Sequence, residues 1–61
     1  MLNYKIITEA IYKVMLKRYK KTHNKEIVRR YLEHLKNDTW KNNYIIYAFI
    51  DNCIAKLEEM N

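Results

Sequence analysis

The sequence predicts an all-α protein, a three-helix bundle forming one domain over 1–61, and three observations carry that expectation. The chain has no glycine and no proline, so little in it breaks a helix. Its apolar residues recur at i, i+3, i+4 and i+7 rather than alternating. Two polar stretches, "KTHNK" (Lys21 to Lys25) and "KNDTW" (Lys36 to Trp40), divide it into three segments. The helices are expected near 4–21, 25–36 and 39–60.

In the first segment Tyr4, Ile7, Ala10, Ile11, Val14 and Met15 share one face, and Asn3 is placed to cap its start. The second is the cleanest amphipath. Ile27, Val28, Tyr31, Leu32 and Leu35 make a stripe, with Lys25, Glu26, Arg29, Arg30, Glu33 and Lys36 opposite. The third is expected to begin at Asp38 or Thr39, whose side-chain oxygens suit the free amides of a first turn. Its row of Ile46, Ile50, Cys53, Leu57 and Met60 is flanked by Tyr47 and Ile54 on one side and Ile45 and Phe49 on the other. That is more apolar surface than one packing contact needs. It predicts the central helix, or a homodimer through this helix.

Without glycine, Asn24 and Asn37 are the expected sites of the left-handed residues that end a helix. A strand at "YIIYAFI" (Tyr44 to Ile50) is disfavoured because no second run exists to pair with it. Short links make successive helices antiparallel. A chain of 61 residues buries only about 60% of its unfolded surface, so association would help it. Leu2, Ile6 and Leu16, which fall off the core stripe of the first helix, point the same way.

With 49% hydrophobic residues, the composition is too apolar for a disordered chain. The single cysteine, Cys53, excludes an intramolecular disulfide framework. The opening "MLNYKIITEAIYK" does not read as a signal peptide, and the longest apolar run is far short of the roughly 20 residues that span a bilayer. A cytoplasmic protein is expected, in the producing cell or in a host.

Catalysis and metal binding find no footing. The chain lacks serine, Cys53 falls on a core row, and the adjacent Glu58 and Glu59 diverge by about 100° around a helix. His23, His34 and Cys53 lie too far apart in sequence for a two-ligand motif. A phosphate loop needs glycine. The expectation is therefore a protein that is not an enzyme, with no cofactor, no metal and no small-molecule substrate.

Charge is the one functional signal. Residues 1–36 hold ten Lys and Arg against three Glu, whereas 37–61 hold two Lys against four acids. The candidate nucleic-acid-binding residues are Lys17, Arg18, Lys20, Lys21, Lys25, Arg29 and Arg30, which would neutralise phosphates without reading sequence and lose affinity as salt rises. The bland alternative is a solvated lysine-rich surface. In the second helix Glu26 with Arg30 and Arg29 with Glu33 have i, i+4 spacing, so those arginines are expected to serve ion pairs. That leaves Lys17, Lys20, Lys21 and Lys25 as the unpaired candidates at the hairpin end, with Lys13 on the same outer face as Lys17 and Lys20. Tyr19 could stack on a base or pack at the hairpin end.

The expected function is that of a small basic regulatory protein binding nucleic-acid phosphates through its first helical hairpin. Helix-turn-helix reading is disfavoured, because the third helix turns apolar after Lys41, Asn42 and Asn43. A membrane role is disfavoured because the apolar stripes are needed for the bundle. The second expectation is a phage- or plasmid-type regulator or inhibitor that docks on a host protein, with Trp40, Tyr44, Ile45 and Phe49 as interface residues. Its analogy to such proteins is one of size and composition only.

Overall fold

The computed structural model describes residues 2–60. Three α-helices, α1 (Tyr4–Thr22), α2 (Lys25–His34) and α3 (Tyr44–Glu59), are joined by a two-residue link and by a π-helical turn, Leu35–Thr39, that continues α2. There is no strand among the described residues. The bundle measures 35 × 19 × 16 Å, of which α1, the longest helix, spans about 28 Å.

Each α-helix starts on an asparagine. Asn3, Asn24 and Asn43 hold extended backbones, and their side-chain oxygens accept from the amides of Ile6, Ile27 and Ile46 at 3.1, 3.2 and 3.2 Å. Each thus satisfies an amide that has no intrahelical partner. With its side chain so used, Asn24 is not the left-handed residue the sequence led us to expect. That conformation falls to His23 (φ 53°), whose amide donates to the Tyr19 carbonyl at 2.7 Å. Histidine tolerates this region better than most residues with a side chain beyond Cβ.

The expected left-handed break at Asn37 is also absent. α2 instead widens into the π-helical turn, closed by the Trp40 amide donating to the Leu35 carbonyl five residues back at 3.2 Å. Asp38, expected as a cap for the third helix, faces His34 at 3.3 Å. The third helix consequently begins five residues later than Thr39, at Tyr44, behind its Asn43 cap. The remaining end differences, Thr22 for 21 and Glu59 for 60, are single-residue fraying.

The core consists of Ile11 and Met15 from α1, Val28 and Leu32 from α2, and Ile46, Ile50, Cys53 and Leu57 from α3. Ile7, Tyr19, Tyr31, Leu35, Trp40, Phe49, Ile54 and Met60 pack around it half-buried. The expected α3 row is therefore the central seam, consumed inside the monomer. Three stripe residues are exposed and do not reach the core: Tyr4 at a helix end, Ala10 on α1, and Ile27 at the edge of its stripe. Tyr4 lies beside Asn43, whose amide nitrogen donates to its hydroxyl at 3.3 Å. α1 and α3 thus start at the same end of the bundle, with α2 antiparallel between them.

Candidate nucleic-acid interface

The basic residues of the hairpin divide by helix. On α1, Lys13, Lys17 and Lys20 follow i, i+4, i+7 spacing and Lys21 lies four after Lys17, so all four share the outer face over about 12 Å of helix. All four are exposed. None forms an ion pair among the described residues. Arg18, on the inner edge, lays its guanidinium over the Tyr31 ring at 4.1 Å from the centroid, a contact that fixes it to α2. Tyr19 is half-buried against the core, which answers its question in favour of packing.

The cations of α2 are engaged. Arg29 binds Glu26 one turn back and reaches Glu58 on α3 at 3.4 Å, and Arg30 meets Glu26 at 3.5 Å. The expected Arg29 to Glu33 pair is not formed, because Arg29 turns toward the acidic end of α3 instead. Lys25, expected to be unpaired, donates its Nζ to the Glu58 carbonyl at 3.2 Å. There it meets the negative end of the α3 dipole. Lys36 donates to Asp51 at 2.8 Å and sits 5.0 Å over the Tyr47 ring.

These contacts move proton affinities in the expected directions. The Arg29 guanidinium hydrogen-bonded to Glu26 lowers that carboxyl's pKa, and Arg29 is raised in return. Asp51 raises Lys36 by accepting its hydrogen bond. Burial pushes the Cys53 thiol up, away from the reactive thiolate. Among the described residues no group of three or more His, Cys, Asp and Glu is placed to hold a metal ion. None of the described helices is long and apolar enough to cross a membrane.

Of the four residues expected at a protein interface, Tyr44 is 81% exposed and Ile45 47% exposed on the outer side of α3. Phe49 and Trp40 are half-buried against the core. Trp40 closes a surface groove of about 310 Å³ between α1 and the end of α2, whose lining includes Ile6, Ala10, Val14, Tyr31 and Leu35. The groove could not be read from the sequence, because it depends on the π-helical turn that brings Trp40 back toward α1. Comparison with known families, curated proteins and solved structures finds no match to this chain.

Proposed function

We propose that this is a non-enzymatic regulatory protein that binds the phosphate backbone of nucleic acid through the outer face of α1, with Lys13, Lys17, Lys20 and Lys21 as the contacting residues. The observation that supports it is the division of the hairpin. Among the described residues Lys13, Lys17, Lys20 and Lys21 have no acidic partner, while Lys25, Arg29 and Arg30 are spent on contacts within the bundle. Arg18 supports the face from its seat on Tyr31 rather than leading it. No cofactor or small-molecule substrate is needed for this reading.

Four phosphates neutralised by four lysines give a slope of log K against log salt of about −3.6, or about 150-fold weaker binding between 50 and 200 mM. The test is fluorescence polarisation of a short labelled duplex at those two salt concentrations, with the Lys17→Glu/Lys20→Glu/Lys21→Glu protein alongside. Loss of binding in the variant, with its helical circular dichroism intact, supports the reading. Equal binding by both proteins, or none by either at 50 mM salt, rejects it.

A second reading rests on the exposure of Tyr44 and Ile45. With its core row consumed inside the monomer, α3 has this outer side left for a homodimer or a host-protein contact. Sedimentation of the wild type and of Tyr44→Glu/Ile45→Glu distinguishes it: a dimer lost in the variant supports self-association through α3, whereas a monomer throughout leaves the docking role alone.

A further inference from the structure

We propose that the groove between α1 and the π-helical turn is a docking site for an acidic amphipathic helix of a partner protein. Its walls are aliphatic and aromatic: Ile6, Ala10 and Val14 from α1, Tyr31 and Leu35 from α2 and its continuation, and Trp40 at the end. Ile6 is 62% exposed, so its side chain projects at the rim rather than filling the groove. From Ile6 to Val14 α1 rises about 12 Å, a little over two turns. That length matches the apolar face of a helix anchored at i, i+3 or i+4, and i+7.

Charge selects the occupant. Val14 also lines the adjoining cleft of Lys17, Arg18 and Lys21, so the apolar groove runs directly into a basic one along the same flank of α1. On the α2 side His34 and the acid Asp38, which face each other at 3.3 Å, both lie outside the groove's lining. An apolar helix face continued by Glu or Asp would meet the groove and then unpaired lysines. A basic helix would be repelled there.

The occupied groove would cover Lys17 and Lys21, so the partner helix and nucleic acid would exclude one another. The docking itself does not depend on nucleic-acid binding. Trp40 is the chain's one tryptophan, and its emission therefore reports the groove directly.

The experiment titrates the full chain with an 18-residue synthetic helix bearing Leu at i, i+3, i+4 and i+7 and Glu in the following turns, exciting Trp40 alone. A saturable blue shift is expected with this peptide. Its apparent Kd should weaken about tenfold or more in Ile6→Glu, a rim substitution the fold tolerates. Lys17→Gln/Lys21→Gln should weaken it about fivefold at low salt, and the Lys-for-Glu version of the peptide should leave the emission unmoved. No shift with the acidic peptide, equal binding by Ile6→Glu, or equal binding of the basic peptide would each overturn the proposal. So would an emission that shifts with protein concentration alone, which assigns the groove to a second copy, or one that shifts with a single-stranded oligonucleotide but not the peptide, which assigns it to nucleobases.

Discussion

α1 carries six Lys and Arg, α2 with its continuation four, and the two helices use them in opposite ways. Each cation of α2 and its continuation finds a partner within reach: Glu26 lies one turn from Arg29 and Arg30, and the end of α3 offers Glu58 and its carbonyl to Arg29 and Lys25. Lys36 closes the series on Asp51. α1 has one acid, Glu9, near its other end, and its outer face meets no other helix. The lesson is that the count of positive charges says little about binding. Which helix shares a seam with the acidic end of α3 decides which cations are left over.

The largest expected effect attacks this division directly. Lys17→Glu/Lys20→Glu/Lys21→Glu should abolish duplex binding, a loss above about 100-fold at 50 mM salt given the like-charge repulsion added to the lost contacts. Arg29→Gln/Arg30→Gln, measured in the same polarisation assay, should change affinity less than about threefold. A comparable loss from both variants would erase the distinction between the helices.

The next effect concerns the two-residue link between α1 and α2. Asn24→Ala removes the oxygen that caps α2 and should lower stability by about 1 kcal/mol in urea denaturation. His23→Gly acts at the neighbouring position in the opposite sense. It relieves a left-handed side chain and should stabilise by about 0.5–1 kcal/mol; a loss of stability in that variant would mean that the His23 ring makes a contact worth more than the backbone cost.

The smallest effect is a pH dependence confined to α2. Glu26 has its pKa lowered in the folded state by Arg29. Its stabilising share is therefore present above the ordinary carboxylate pKa and is lost as pH falls through the lowered value. Thermal melts between pH 6 and pH 3 should show a slightly shallower acid decline for Glu26→Gln than for the wild type.

Much of the helical plan was legible in the sequence because spacing alone fixes it. Ile46, Ile50, Cys53 and Leu57 are buried in the row that their period assigned them, and Asn3 caps α1 as its position suggested. The failures lie where two residues compete for one role or where the partner is distant. Asn24 could cap a helix or end one, and its side chain settled on the cap. Asp38 and Thr39 looked like caps, but the chain found a better one at Asn43. Lys25 and Arg29 meet Glu58 across a sequence separation that no helical period encodes. The groove at Trp40 escaped for the same reason, since a π-helical turn has no sequence signature in this chain.

The proposed binding mode rests on the α1 lysines, and not the α2 arginines, making the phosphate contacts. The most direct measurement is the slope of log K against log salt for a short duplex with wild type, Lys17→Gln/Lys20→Gln/Lys21→Gln and Arg29→Gln/Arg30→Gln. The slope should be about −3.6 for the wild type, about −0.9 for the lysine variant, and close to wild type for the arginine variant. A slope unchanged in the lysine variant, or reduced in the arginine variant, would contradict it.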